Sequence, residues 1–349
     1  MRIGSYSAKE DPALRAYGHH RIVVPVYIPN LEGYFAQSLD VLKVCLESLH
    51  RTADAKARIT AVSNGSAPEV VAELRRQLDL GVLDQLLLNG TNRGKVDAVV
   101  SVARGCFEPF ITITDCDVLF RTGWLEAVER VFLTFPEAGF VSPAPTPNAP
   151  WYFTSATVLD SVVRRELRLE KVIDDADLDL FEQSIGWAIY KPEERQAQYV
   201  VRRGEGLACV GSGHFVFTIR KEVVRAMPEQ PSQQAVGGIS EVTWLDAPAD
   251  ALGLWRLATP KTFAYHIGNV LGPWVYEELA ACAPPQEDIN HFEDGVPHLR
   301  RSRISRLPWV VRRGLVRALR KTPLRSALPK SLGDRPALPA KSGTERLEA

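Results

Sequence analysis

The sequence predicts an α/β fold in which a mostly parallel central sheet carries helices on both faces. Between residues 21 and 142, short β-branched runs alternate with segments of helical periodicity. The connections between them are only a few residues long and are rich in Pro, Asn, Gly and Ser. Strands that alternate with helices through short connections form βαβ units, whose strands are parallel.

The first unit consists of a strand at residues 21–28 and a helix at residues 36–51. The strand is a β-branched run (RIVVPVYI) that ends before Pro29. Leucines at spacings of three and four give the following segment the periodicity of an amphipathic helix. The second unit repeats this order, with a strand at residues 58–62 and a helix at residues 69–80.

The third and fourth units continue the alternation through residue 142. Strands are predicted at 82–88, 110–114 and 139–142, and helices at 95–105 and 124–135. Because ligands of such sheets bind at the carboxyl ends of the strands, we expect the polar residues after the first four strands to form one site. These are residues 27–30, 63–66, 92–95, Asp115 and Asp117.

The second half of the chain has a weaker pattern. Residues 210–219 are predicted to form a glycine turn that enters a strand, residues 220–227 a helix and residues 262–266 a last core strand. An acidic run at residues 174–182 is typical of a solvated face. No core pattern returns after residue 284.

Composition excludes several classes of protein. The 349 residues are 45% hydrophobic and 24% charged, values of a globular chain rather than a disordered or fibrous one. Residues 1–20 lack the apolar stretch of a secretory signal, and the longest uncharged run, which begins at Gly139, contains four prolines and is not a spanning helix. Five cysteines without a CxxC spacing argue against a zinc ribbon or a disulfide framework and favour a cytoplasmic location.

The formal net charge of zero is the average of two unlike parts. Residues 1–299 hold 28 basic and 39 acidic side chains, whereas residues 300–349 hold 14 basic and 3 acidic ones. This asymmetry predicts an anionic partner for the basic part. Nucleic acid is not expected, because the rest of the chain is acidic and lacks interleaved aromatic and basic residues. Residues 331–349 are predicted to be disordered.

The basic part contains one amphipathic helical pattern, at residues 308–321 (PWVVRRGLVRALRK). Val311, Leu315 and Leu319 recur at spacings of four, and the Arg and Lys residues fall mostly away from that stripe. Such a helix is typical of a membrane-surface element, so we expect residues 300–330 to bind an anionic membrane, at the inner face of the plasma membrane. The alternative is docking on the acidic body of the same or another subunit.

The sharpest chemical signal is Asp115-Cys-Asp117, directly after the fourth predicted strand. Two carboxylates one residue apart can share Mg²⁺ or a similar cation, which proteins commonly hold with one or two carboxylates plus substrate phosphates. The cation neutralises charge that develops on a departing diphosphate. The competing interpretation is a polar strand end without a ligand; the position on the shared edge favours the metal.

Five short motifs follow one another in the chain: Val23-Val-Pro-Val-Tyr27, Asn64-Gly-Ser66, Asn92-Arg-Gly-Lys95, Asp115-Cys-Asp117 and Gly211-Ser-Gly213. In this order and spacing the chain resembles the inverting family-2 glycosyltransferases of the GT-A fold, clearly over residues 21–142 and loosely over residues 210–268. The resemblance implies a metal-dependent enzyme of the hexosyltransferase type, with Mn²⁺ or Mg²⁺ as the cofactor. It would move a sugar from a nucleoside diphosphate sugar to an acceptor hydroxyl with inversion.

The resemblance also implies an organisation of the chain. Two halves form one GT-A-like domain, and a helical basic extension follows it. The predicted parts are an N-terminal extension (1–20), the nucleotide-sugar and metal-binding half (21–150), the acceptor-binding half (151–275), the C-terminal extension (276–330) and the disordered tail (331–349).

Four residues are assigned to the donor by the resemblance. Pro25 and Tyr27 would line the nucleoside pocket. Asn64 stands where the family reads the base with an acidic pair; Ser63-Asn64 keeps the hydrogen-bonding capacity and loses both charges, which leaves the identity of the base open. Lys95 would face the nucleotide or the diphosphate, the alternative being a solvated lysine at a helix start.

Three residues are assigned to the cation. Asp115 would contact the ribose or the metal, and Asp117 would ligate the metal. His266, at the end of the last predicted strand, would complete the metal shell beside Asp117; the alternative is a hydrogen-bonded structural histidine. A second histidine, His214, is expected to pack rather than to bind.

The catalytic base is the least determined role. An inverting transfer needs a carboxylate that takes the proton of the acceptor hydroxyl. The family carries Glu-Asp about two dozen residues before a histidine, and counting back from His266 reaches Glu241. The Glu-Asp pair itself is absent, so Asp246 and Asp250 are alternatives, and Glu241 has the competing interpretation of an acid that stabilises a helix N-terminus.

These observations predict a glycosyltransferase that works at a membrane surface, in bacterial surface polysaccharide or lipid-linked glycan assembly. Its acceptor would be a glycan, a lipid-linked sugar or a protein. One alternative is a nucleotidyltransferase on a related sheet, although the glycine-rich signature usual near its first strand is absent here. The other is a catalytically inactive, membrane-associated adaptor of the same fold, against which the retention of Asp115 and Asp117 counts.

Overall fold

A ten-stranded mixed sheet with helices packed around it forms the centre of the chain, which confirms the predicted α/β class. Its strand order is β3-β2-β1-β4-β10-β6-β11-β9-β8-β7, and a separate two-stranded ribbon pairs β12 with β5. The protein is seen here as a computed structural model, which describes residues 18–54, 57–235, 239–285, 296–301 and 304–322.

The first four strands of that order are parallel to one another. They are β1 (His20–Val26), β2 (Ala57–Asn64), β3 (Gln85–Asn89) and β4 (Phe110–Thr114). Every β1 residue except Arg21 is buried, as expected of a strand covered on both faces. Because these strands run the same way, their carboxyl ends lie at one edge of the sheet.

Four helices alternate with these strands, each overlapping its predicted segment. They are α1 (Ser38–Thr52), α2 (Pro68–Asp79), α3 (Lys95–Gly105) and α4 (Trp124–Thr134). In α1 the buried face includes Leu42, Cys45, Leu46 and Leu49, which recur at the spacing that predicted the helix.

The second half of the chain completes the same sheet. β10 (Val216–Arg220) runs antiparallel between β4 and the last strand of the first half, β6 (Ala138–Ser142). β11 (Trp255–Ala258) adds in parallel to β6. The remaining strands are β5 (Val118–Phe120), β7 (Leu167–Glu170), β8 (Gln198–Arg203), β9 (Gly206–Val210) and β12 (Ala264–His266).

The sequence did not predict β5, β7, β8, β9 or β11. In β8, two half-buried arginines pair with glutamates and hide the strand pattern: Arg202 meets Glu170 of β7, and Arg203 meets Glu137 and Glu166. The acidic run at residues 174–182 is part of a helix, α6 (Asp175–Ile185), whose Leu178 is buried.

Several short helices connect these strands. They are α5 (Ser155–Val163), α7 (Pro192–Gln196), α8 (Lys221–Arg225), α9 (Ala247–Ala251) and α10 (Pro273–Ala281). One turn of π-helix, Glu241–Asp246, leads into α9. The helix predicted at residues 220–227 is present as α8, which is shorter than expected because it covers only Lys221–Arg225.

The basic pattern at residues 308–321 folds as α11 (Trp309–Arg320), which packs on α5. Its inward face buries Val316 and Arg312, whose guanidinium donates to the carbonyls of Asp250 and Ala251. Val311 and Leu315 are half exposed on the outer side. Among the helices in the described ranges, none combines the length and the apolar composition that crossing a bilayer requires.

Two predictions fall outside the described residues. The N-terminal extension predicted at residues 1–20 lies there except for residues 18–20, and so does the whole tail predicted at residues 331–349.

Candidate active site

A cavity of about 410 Å³ opens at the carboxyl ends of β1, β2 and β4. The loops after these strands and after β3 contribute to its wall, as the sequence predicts. Six of the predicted site residues line it: Pro25, Tyr27, Asn64, Lys95 and both aspartates of Asp115-Cys-Asp117. Its remaining wall includes Tyr34, Phe35, Asn92 and Asn269.

The ribbon of β5 and β12 brings Asp117 and His266 together. In the register of this antiparallel pair, His266 lies opposite Val118, the residue after Asp117. The His266 Nε2 atom is 3.4 Å from Asp117 Oδ2, and the backbone N–H of Ile267 donates to the carbonyl of Asp117 at 2.8 Å. Ser184 Oγ, 2.8 Å from His266 Nδ1, fixes the other side of the ring. The predicted pairing of these two residues is thus present.

Asp117 has the features of a cation ligand. Its Oδ1 atom is buried and has no hydrogen-bond partner within the described part of the chain. Burial raises the pKa of Asp117, an effect that His266 opposes and Asp115 reinforces. A divalent cation would satisfy Oδ1 and favour the ionised carboxylate.

The protein ligands alone do not complete a metal site. No cluster of three or more His, Cys, Asp or Glu side chains in the described ranges is arranged to hold an ion. Asp115 is engaged elsewhere, because its Oδ1 lies 2.6 Å from Lys95 Nζ. Asp117 and His266 would therefore supply at most two of the ligands of a divalent cation, and substrate phosphates and water would have to supply the others.

Lys95 connects the two halves of the site. It is the first residue of α3, and its Nζ atom lies 2.6 Å from Asp115 Oδ1 and 2.9 Å from Glu241 Oε1. Burial opposes its charge, but the carboxylates of Asp115 and Glu241 outweigh burial and raise the pKa of Lys95. The ammonium is thus charged and placed at the cavity wall, which excludes the alternative of a solvated lysine.

Gly94 allows α3 to begin at this position. Its φ of +88° lies in the region that favours glycine, and a Cβ atom there would be 1.9 Å from the carbonyl oxygen of Gln234. The neighbouring carbonyl, that of Ala235, accepts the backbone N–H of Lys95 at 3.0 Å. Gln234 and Ala235 therefore pack against the start of α3.

Glu241 and Asp246 lie at the two ends of the π-helical turn, and His214 lies between them. His214 Nε2 is 3.5 Å from Glu241 Oε2, and Nδ1 is 3.2 Å from Asp246 Oδ2. Its contact with Asp246 raises the pKa of His214, against the effect of burial. His214 is partly exposed, and its ring lies within ion-pair distance of both carboxylates, two contacts that the sequence did not predict.

Asp246 is enclosed and fully engaged. Its carboxylate accepts hydrogen bonds from Arg256 Nη2 at 2.8 Å and from the Tyr152 hydroxyl at 2.7 Å, and its exposed fraction is 0%. Burial would raise its pKa, but Arg256 and His214 prevail and lower the pKa of Asp246 to about 2. These contacts favour a structural role over that of a base.

Asp250 is also held by its neighbours. Its carboxylate accepts from Ser155 Oγ at 2.8 Å, from the backbone N–H of Ala156 at 3.0 Å and from Trp309 Nε1 at 2.8 Å. It thereby joins the start of α5 to α11. Of the three candidate bases, only Glu241 contacts a residue of the cavity wall.

Asn64 organises the loops and does not present its amide to the cavity. Its Nδ2 donates to Asn92 Oδ1 at 2.9 Å, while its Oδ1 accepts from Asn89 Nδ2 at 3.2 Å and from the backbone N–H of Arg93 at 3.0 Å. The residue is 2% exposed. The sequence located Asn64 in the wall but gave no signal for this network, which joins β2 to the loop after β3.

Two aromatic side chains that sequence analysis missed, Tyr34 and Phe35, line the cavity near Tyr27. Phe35 makes edge-to-face contacts with Tyr27, at 6.5 Å between ring centroids, and with Tyr34, at 5.1 Å. Tyr34 and Phe35 lie in a short 3₁₀ turn, Gly33–Phe35, which directly precedes the predicted helix and was not predicted. Tyr27 is 40% exposed, so part of its ring is free to meet a ligand.

No family model matches the chain, and no curated protein matches it. The fold is similar to that of several solved structures. One is the mannosyltransferase PcManGT from Pyrobaculum calidifontis in complex with GDP-Man and Mn²⁺, at 17% identity and a TM-score of 0.40, over 70% of this chain and 54% of that one. TarS from S. aureus gives 11% identity and a TM-score of 0.42, over 74% of this chain and 62% of that one. GalNAc-T7 with UDP, GalNAc and Mn²⁺ gives 14% and 0.42, over 72% and 44%.

The chain thus spans between 44% and 62% of the length of these three structures.

Proposed function

We propose that the protein is a glycosyltransferase that moves a sugar from a nucleoside diphosphate sugar to an acceptor hydroxyl with inversion. One observation carries the proposal: Lys95 contacts Asp115 at the cavity wall and Glu241 on its other side. A cation for a diphosphate and a carboxylate for a hydroxyl proton therefore lie next to each other.

The cavity suits the donor in size and in chemistry. A volume of about 410 Å³ falls within the range of small-molecule sites, roughly 300–1,000 Å³. Tyr27 and Tyr34 offer aromatic surface to a nucleoside base, and Pro25 adds an apolar wall. Asn64 keeps the adjacent loops in place through its amide network.

The diphosphate would lie between Lys95 and the pair formed by Asp117 and His266. These two side chains would hold the divalent cation, which supplies charge neutralisation for the departing diphosphate. Lys95 adds a second positive charge that belongs to the chain itself. Its ion pair with Asp115 keeps the ammonium beside the place where the leaving charge develops.

Glu241 would act as the base. Its carboxylate accepts the proton of the acceptor hydroxyl while the hydroxyl oxygen attacks the anomeric carbon and the bond to the diphosphate breaks. Attack from the face opposite the leaving group inverts the anomeric centre. Asp246 and Asp250 remain the alternatives, although both are saturated with hydrogen bonds.

Calorimetric titration with UDP, GDP and dTDP, with and without Mn²⁺, tests donor binding. Binding of one nucleotide that depends on Mn²⁺ is expected for the wild type and is expected to vanish in Asp117→Asn. Asp40→Asn is the matched control, because Asp40 lies on the exposed side of α1 and pairs only with Lys43 among its described contacts. If none of the three nucleotides bound in a metal-dependent way, the proposed enzyme activity would be refuted, and the inactive adaptor would remain as the interpretation of the fold.

Turnover of the matching sugar donor, with water or an acceptor sugar as the nucleophile, tests the chemistry. Glu241→Gln is expected to bind the nucleotide as the wild type does and to lose turnover about 10²- to 10⁴-fold. NMR of the released sugar reports the anomeric configuration, which must be opposite to that of the donor. Full turnover in Glu241→Gln would move the base to Asp246 or Asp250; release of pyrophosphate from a nucleoside triphosphate would indicate a nucleotidyltransferase instead.

A second proposal concerns location: α11 binds an anionic membrane surface. The outer face of this helix exposes Val310, Val311 and Leu315 by 79%, 46% and 47%. Exposed basic side chains surround these residues: Arg306, Arg313, Arg317, Arg320 and Lys321. Each such charge near an anionic surface contributes about 1 kcal/mol. A lipid-linked glycan is then the favoured acceptor class.

Vesicle co-sedimentation tests this second proposal with the full chain. Wild-type protein is expected to sediment with vesicles that contain phosphatidylglycerol and not with phosphatidylcholine vesicles. Arg317→Gln/Arg320→Gln should lower the bound fraction, whereas Arg75→Gln/Arg130→Gln, which removes two exposed arginines elsewhere, should not. An equal effect of the two double substitutions would contradict a role specific to α11.

A further inference from the structure

His214 lies between Glu241, the proposed base, and Asp246, a buried carboxylate. Its Nε2 faces Glu241 Oε2 at 3.5 Å, and its Nδ1 faces Asp246 Oδ2 at 3.2 Å. Glu241 and Asp246 occupy the first and last positions of the same π-helical turn. One imidazole therefore spans the turn that carries the base.

Asp246 is a fixed support for this imidazole. Tyr152 donates to its Oδ2 at 2.7 Å, and Arg256 donates from Nη2 to its Oδ1 at 2.8 Å and from Nη1 to its backbone carbonyl at 3.2 Å. Asp246 and Arg256 both have an exposed fraction of 0%. A carboxylate with so many partners in a buried place cannot move without breaking charge-assisted hydrogen bonds.

Arg256 also fixes the chain that carries His214. Its Nη2 atom donates to the carbonyls of Ser212 at 2.9 Å and Gly213 at 3.2 Å, the two residues before His214. The same guanidinium thus sets the position of Asp246 and of the backbone next to the imidazole. The position of His214 relative to the π-helical turn is determined from both sides.

We propose that His214 is a positioning residue that holds Oε2 of Glu241, an inference that rests on the proposed function. Lys95 contacts the other carboxylate oxygen, Oε1, at 2.9 Å. His214 beside Oε2 and Lys95 beside Oε1 keep the carboxylate of Glu241 in one orientation. In that orientation the carboxylate takes the proton of the acceptor hydroxyl while the new glycosidic bond forms and the bond to the diphosphate breaks. His214 neither gains nor loses a proton in this step, and the proton remains on Glu241.

Among the described residues, Lys95 of α3 contacts Glu241, while Arg256 of β11 and the hydroxyl of Tyr152 contact Asp246. No metal-ligand candidate contacts His214 directly in the described structure. A loss of His214 is therefore expected to change the chemical step and not the binding of the nucleotide.

The test compares His214→Gln with the wild type in donor turnover and in nucleotide binding. We expect kcat to fall about 10- to 100-fold, the size of effect that misplacement of a reacting group produces. The Kd for the nucleoside diphosphate in the presence of Mn²⁺ should stay within about twofold of wild type. His50→Gln, which changes an exposed histidine at the end of α1, is the matched control and should keep the wild-type kcat.

Tyr152→Phe supplies a second, milder variant, because it keeps all charges and removes only the 2.7 Å bond to Asp246. Since Tyr152 acts through Asp246 and His214, the double variant should be no slower than His214→Gln alone. The inference fails if kcat of His214→Gln stays within twofold of wild type, or if kcat and nucleotide affinity fall together. It also fails if the losses of kcat in Tyr152→Phe and His214→Gln multiply in the double variant. Absence of turnover in the wild type is a different result, since it overturns the proposed function and this inference with it.

Discussion

The buried pair of Asp246 and Arg256 leads to a quantitative prediction about acid stability. Arg256, His214 and Tyr152 surround a carboxylate with an exposed fraction of 0%, and they lower the pKa of Asp246 from 3.8 to about 2 although burial acts in the opposite direction. A group with a lowered pKa in the folded state stabilises the fold above its unfolded-state pKa. The stabilisation is lost as the pH falls through the folded-state value.

The size of the effect follows from that pKa difference. One unit corresponds to about 1.4 kcal/mol, so the change from 3.8 to about 2 amounts to about 2 kcal/mol of unfolding free energy. This contribution is complete at neutral pH, begins to fall near about pH 4.5 and is mostly gone at about pH 2.5. Asp246→Asn cannot titrate, so its stability lacks this component at every pH.

Urea unfolding followed by tryptophan fluorescence, at pH values from 7 to 2.5, measures this contribution. Other carboxylates make the wild type less stable in acid as well, and the difference between wild type and Asp246→Asn removes their effect. That difference should shrink by about 2 kcal/mol over the range. Asp40→Asn, at an exposed site, should instead run parallel to wild type. A constant gap between Asp246→Asn and wild type would show that Arg256 does not hold Asp246 in its ionised form.

Three further predictions concern the walls of the site and the C-terminal helix. Gly94→Ala should cost roughly 1–3 kcal/mol from its φ of +88° alone, with an added clash against Gln234 O, and should reduce both urea stability and nucleotide affinity; wild-type values of both would contradict the tight contact. Asn64→Ala should cost about 1–3 kcal/mol, because it removes the side-chain oxygen that accepts from the backbone N–H of Arg93 and from Asn89 Nδ2. The loss should appear in urea unfolding, together with weaker calorimetric binding of the nucleotide. Trp309→Phe should lower the unfolding free energy by about 1 kcal/mol, since it deletes the 2.8 Å bond to Asp250, and an unchanged urea midpoint would exclude that bond.

The parallel half of the sheet was predictable because its signals are local. Each strand between residues 20 and 114 contains a local run of apolar residues, and each helix has a periodicity that can be read within its own segment. Since parallel strands bring their carboxyl ends to one edge, the proximity of Asn64, Lys95 and Asp115 followed without knowledge of any contact. The pairing of Asp117 with His266 was reachable for a similar reason, since both flank short strand runs.

The remainder depends on contacts between distant parts of the chain. Tyr152, His214, Asp246 and Arg256 form one cluster, but no spacing in the sequence relates them, and each alone looks like an ordinary polar residue. The strands β7, β8 and β11 were missed because paired charged residues interrupt the apolar pattern expected of interior strands: Arg202 of β8 pairs with Glu170 of β7, and Arg256 of β11 pairs with Asp246. The position of Asn64 in the cavity wall was predicted, but its hydrogen-bond partners were not, because they come from the loop after β3, which is distant in sequence.

The attachment of α11 has a consequence for how this chain can recombine with others. Asp250 accepts a hydrogen bond from Trp309, and its carbonyl accepts one from Arg312, so the basic helix is fastened to the segment that begins with Glu241. A chimera that takes its C-terminal helix from another protein would leave Asp250 buried without these donors. The unit that can be exchanged intact therefore joins the segment from residue 240 to 253 with residues 304–322, and a replacement for α11 must bring its own donors to Asp250.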